Sequence, residues 1–80
     1  MITKINEKWI AKGSFPDCNC IYTGETKEEL RFMLIDELIK FEHSRQTYAS
    51  CAKRKMASYC LQCEKVIVEM LDDLNKCPIE

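Results

Sequence analysis

No apolar run in this chain approaches the roughly 20 residues that a bilayer-spanning helix requires, and neither charge is in excess, with 12 lysines and arginines against 13 aspartates and glutamates. The first absence excludes a membrane span. The second argues against a general nucleic-acid binder, which carries a clear basic surplus, and equally against an acidic DNA mimic. Histidine occurs once, as His43. A Cys–His nucleophilic pair would need a thiol held beside it, and nothing local supplies one. No nucleophile, base and orienting group can be assembled along the sequence, so the expectation is a protein that is not an enzyme. The stretch Met1–Lys8 has no apolar core and no small-residue cleavage site. Read as a native start, it predicts a cytoplasmic chain.

Glycine and proline are scarce, two of each, and their placement organises the chain. Both glycines and Pro16 precede Glu25, and Pro78 stands near the end. Between Glu25 and Cys77 no residue breaks a helix outright. A single domain over 1–80 is therefore expected to be α+β and predominantly helical, with a small antiparallel β-hairpin or sheet in a hairpin region over 1–25 followed by helices over 26–42 and 47–76. Lys8–Lys12 and Cys18–Thr23 read as short strands around the turn chemistry of Gly13-Ser14-Phe15-Pro16-Asp17. Thr26-Lys27-Glu28-Glu29 is a capping box that starts the first helix. Its apolar residues form two stripes, Leu30, Met33, Leu34, Leu38 and Phe41 on one side and Phe32, Ile35 and Ile39 nearly opposite, so burial on both sides is expected, one stripe on the sheet and the other against the second helix or a partner. Tyr48, Ala52, Met56, Tyr59, Cys63, Ile67, Met70 and Leu74 recur at spacings of three and four. An unbroken helix over both runs would reach about 75 Å. A turn is therefore placed in the polar stretch His43–Thr47, with Ser44 or Thr47 as the next cap, and the helices pair antiparallel. Cys77-Pro78 ends the second one.

The text Ser14-Phe15-Pro16-Asp17-Cys18-Asn19-Cys20-Ile21-Tyr22-Thr23-Gly24-Glu25-Thr26-Lys27-Glu28-Glu29-Leu30, within Trp9–Phe41, resembles the HicB family of antitoxins. That resemblance implies a partial ribonuclease-H-like sheet without catalysis, which binds a small toxin or another protein. Beyond Phe41 the pattern departs. Where that family returns to a strand, this chain enters a second, cysteine-bearing helix.

Six cysteines in 80 residues bear directly on how so small a core is held. Cys18-x-Cys20 on a strand places both sulfurs on one face, and Cys60-x-x-Cys63 does the same on a helix. Four such thiolates could form a tetrahedral zinc site. They could equally be reduced core residues, since free cysteine packs as a small hydrophobe. A processed secreted chain would instead pair them as disulfides, in any of fifteen ways. Cys51 falls off the main stripe and is expected at the surface. Cys60 lies mid-helix, where a redox C-x-x-C motif lacks the helix-start dipole that lowers a thiol pKa.

Lys53-Arg54-Lys55 is the basic cluster able to touch phosphate, although such a run is more often a solvated helix face. The larger surplus is apolar. Ala57, Leu61 and Val68 lie off the core stripe of the second helix and widen its apolar arc past what one-sided packing needs. A surplus of this kind marks a protein interface, unless the front third folds back to cover it. The reading is a small binding module, antitoxin-like or otherwise inhibitory, that occludes another protein without a cofactor. A homodimer is one form that such an interface takes.

Overall fold

The structure, a computed structural model, describes residues 1–77. Three strands, β1 (Ile2–Ile5), β2 (Lys8–Ser14) and β3 (Asn19–Gly24), form an antiparallel sheet in sequence order. Two long helices, α1 (Lys27–Ser50) and α2 (Arg54–Lys76), follow. The expected α+β class, a small antiparallel sheet followed by two long helices, is observed, with β1 added to the two strands read from the residues. β1 and β2 are joined by Asn6-Glu7, both at positive φ, 51° and 66°. Two residues in that conformation match the right-handed twist of the strands they connect. Asparagine tolerates it, whereas glutamate is an unusual occupant.

Alternation along the sheet sends Trp9, Ala11 and Gly13 of β2 and Cys20, Tyr22 and Gly24 of β3 toward the helices. Trp9 and Ala11 are buried, and with Leu30, Leu34, Ile67, Met70 and Leu74 they form the core. The two glycines let the layers approach. A methyl group on Gly13 would lie 2.9 Å from Val66 Cγ1 and 3.2 Å from Met70 Sδ, and one on Gly24 would lie 2.7 Å from the Leu30 backbone nitrogen. α1 packs over β3 and β2, and α2 packs over β2 and β1.

The capping box forms, with the Glu29 amide donating to Thr26 Oγ1 at 3.0 Å. Glu28 and Glu29 complement the helix dipole in the first turn. α1 then runs straight through the stretch expected to turn. Ser44 and Thr47 are helical, and the Thr47 hydroxyl donates back to the His43 carbonyl at 3.0 Å. The helices divide instead at Cys51–Lys53, so the boundaries of 42 and 47 become 50 and 54. The stop is a Schellman motif: the Lys53 amide donates to the Tyr48 carbonyl (2.8 Å) and the Ala52 amide to that of Ala49 (3.1 Å). Ala52 holds the left-handed position, φ 61°, that glycine usually fills. α2 ends at Lys76, and Cys77 is extended at φ −71° and ψ 136°, as the residue before proline prefers. Pro78 itself lies outside the described residues.

Leu30 and Leu34 of the first stripe of α1 are buried, with Leu38 and Phe41 packed against the core. Phe41 meets Phe15 edge-on, centroids 5.5 Å apart. The second stripe is not covered by α2: Phe32, Ile35 and Ile39 are exposed, Phe32 at 66 %. The stripe of α2 is as expected from Cys63 to Leu74, but Tyr48 belongs to α1, Ala52 to the turn, and Met56 is exposed.

Candidate protein-binding face

Successive residues turn by about 100° around a helix, so the faces follow from the buried positions. On α2, Ile67 and Leu74 point inward. Leu61 and Val68 lie about a third of a turn away, on the side turned from the sheet, and are 41 % and 48 % exposed. Ala57 on the same side is half-buried. Leu38, Glu42 and Arg45 of α1 face them, and with Glu64, Lys65 and Glu69 these side chains line an open groove of about 600 Å³ between the helices. Arg45 Nε and Glu64 Oε2 join at 2.6 Å across it. Glu64 is 12 % exposed, so this pair is sheltered more than an ordinary surface ion pair, and its hydrogen bond raises the Arg45 pKa. The groove is thus apolar at Leu38, Leu61 and Val68, bridged at one point, and rimmed by charges of both signs.

The front third does not fold back over this face. The sheet occupies the opposite side of the helix pair. Of the residues expected at an interface, Leu61 and Val68 line the groove. Leu38, Glu42, Arg45, Glu64, Lys65 and Glu69 were not foreseen. Leu38 reads as core and Arg45 falls in the stretch expected to turn, and the convergence of these residues depends on how the two helices align.

Cys60 and Cys63 are buried, Cys20 is half-buried and Cys18 is exposed, and all six thiols are free. Asp17 accepts from the Tyr59 hydroxyl at 2.9 Å and neighbours the Cys18 thiol, while Tyr59 also contacts Cys63. Cys60 lies instead by Glu64 and Arg45, at the groove. Among the described residues no three His, Cys, Asp or Glu side chains converge as a metal-holding group. Loss of solvent raises the pKa of Cys18, Cys20, Cys60 and Cys63, with Asp17 adding to the effect at Cys18. The same cause pushes Tyr22 up to about 12. Each shift favours the neutral form. Cys51 is exposed at the turn, as its phase implied.

Lys53, Arg54 and Lys55 are exposed at the start of α2. Lys53 caps that helix without a side-chain hydrogen bond, and no acidic residue lies in the first turn. His43 is exposed on α1 rather than in a turn. No helix of the described chain is long and apolar enough to cross a membrane. Compared with protein-family models, curated proteins and solved structures, the chain finds no match.

Proposed function

We propose that the protein is a binding module without catalysis, which docks an amphipathic helix of another protein into the groove between α1 and α2 and occludes that partner's working surface. The observation that carries this reading is the pairing of exposed Leu61 and Val68 with Leu38 beneath a rim of Glu42, Lys65 and Glu69. A groove with apolar floor and charged walls suits a helix whose apolar positions recur at three and four residues. An inhibitory, antitoxin-like role is consistent with the strand, turn and capped-helix unit of the first half, which positions α1 and contributes no chemistry of its own.

The decisive substitution is Leu61→Asp. It places a carboxylate at the apolar centre of the groove, yet Leu61 is outside the core, so the fold should survive. A partner identified by co-purification and then reconstituted from pure components should bind wild type and lose at least about tenfold in affinity to the variant, the scale of an interface hot spot. Unchanged binding by a normally folded Leu61→Asp protein would overturn the reading.

A further inference from the structure

The free edge of β3 supports an inference separate from the groove. The β1–β2 register fixes which backbone groups point where. Lys12 and Met1 exchange both backbone hydrogen bonds, at 2.9 and 2.8 Å, so Lys12, and by alternation Ile10 and Lys8, direct theirs toward β1. Trp9, Ala11 and Gly13 therefore direct theirs toward their partners Gly24, Tyr22 and Cys20 on β3. Asn19, Ile21 and Thr23 are left with N–H and C=O groups aimed outward from the sheet. Asn19–Gly24 contains no charge, no proline and no bulge, which are the usual protections of an edge strand. β1, at the other edge, has four residues and carries Lys4.

Above this edge lies one flank of α1. Leu38, Glu42 and Arg45 form the flank that meets α2. The opposite flank, on the β3 side, carries Glu29, Met33, Asp36 and Lys40, spaced by four, three and four residues. Asp36 and Lys40 confirm their shared flank by pairing at 3.2 Å. Exposed Phe32 borders it. The stripe begins with an acid and ends with a base, so it is complementary to itself when two copies run antiparallel: Glu29 of each faces Lys40 of the other.

The geometry points to a homodimer in which β3 pairs antiparallel with β3 of a second copy, making a continuous six-stranded sheet with the two α1 flanks side by side. One of the axes that the strand allows coincides with the one that the helix stripe requires. The outward groups of Asn19, Ile21 and Thr23 allow a two-fold axis through Ile21, Tyr22 or Thr23; through Tyr22, Ile21 of one copy exchanges hydrogen bonds with Thr23 of the other. The charge stripe demands an axis midway between Glu29 and Lys40, near Leu34 and Ile35. Gly24 sits against Leu30. Moving two strand residues to Tyr22 covers about 6.6 Å, and four helix residues from Leu30 to Leu34 cover about 6 Å. Tyr22 therefore lies beneath Leu34, and one axis satisfies both. The same arrangement would shield Phe32 and Met33, which the monomer leaves exposed.

Sedimentation equilibrium on the whole chain, from low to high micromolar concentration, tests this. Wild type should be dimeric. Thr23→Pro removes an amide that takes no part in the ladder with β2, and proline is tolerated on an edge strand; the variant should be monomeric with an unchanged far-UV circular dichroism spectrum. Should it fail to fold, the surface variants decide. Glu29→Lys and Lys40→Glu each turn two facing pairs repulsive and should weaken the dimer roughly tenfold, while the double variant restores it. Leu61→Asp should leave the dimer intact, which keeps this proposal distinct from the groove. A monomeric wild type, a dimer that survives in folded Thr23→Pro, a double swap that fails to restore association, or a dimer lost with Leu61→Asp would each overturn it.

Discussion

The two helices are nearly equal in length, 24 and 23 residues, but begin in opposite ways. α1 starts on a threonine whose hydroxyl accepts an amide, with two glutamates against the positive end of the dipole. α2 starts on a lysine that caps nothing, followed by Arg54 and Lys55 where the dipole disfavours cations. Burial is reversed. α1 buries Leu30 and Leu34, whereas α2 buries Cys60, Cys63, Ile67, Met70 and Leu74. The start of α1 is specified by its own residues, while α2 owes its existence to the surface it covers.

The most severe way to break this contrast is Ile67→Ala. It removes a fully buried side chain from the helix that depends on packing and should cost about 3 kcal/mol, read by denaturant melts. Alkaline pH should act next, and on the same helix, because the buried thiols Cys60 and Cys63 are its own. Their pKa values are raised in the fold, so the stability they contribute is complete below the ordinary thiol value of 9.0 and is lost as pH rises through the folded-state values. Tyr22, at about 12, extends the loss upward from its ordinary 10.0. The melting temperature should hold steady to about pH 8 and decline above 9.0. Thr26→Ala should cost about 1 kcal/mol by removing the cap of α1. The smallest effect runs the other way: Lys53→Asp supplies α2 with the missing cap and dipole partner and should gain about 0.5 kcal/mol in the same melts.

This contrast also explains what could be read from the residues. The start of α1 was legible to the residue, because a capping box is a local pattern. The turn between the helices was not. Polar residues at 43–47 resemble a loop, but Ser44 and Thr47 are accommodated within a helix, and the true stop uses Ala52 in a conformation that alanine does not advertise. β1 was missed for a similar reason, since Asn6-Glu7 lacks the glycine that usually signals a two-residue hairpin. On the candidate face, Leu61 and Val68 were visible as apolar residues out of phase with the core. Leu38, Glu42 and Arg45 could not be assigned to the same groove without knowing that Arg45 lies opposite Glu64.

The order β1-β2-β3 has a consequence in time. Every strand pairs with its neighbour in the chain, and α1 pairs with α2 across a three-residue turn. Each half of the molecule therefore closes short loops only, and hairpins and helices of this size form within about microseconds. The distant contacts are those that bring α2 back onto β1 and β2, and the bond from Lys27 Nζ at the start of α1 to the Cys77 carbonyl, 2.6 Å long, spans a similar distance along the chain. Closing that span carries the largest loop entropy in the fold. Folding is accordingly paced by the docking of α2 on the first hairpin, and a chain with this much local pairing should refold in about milliseconds.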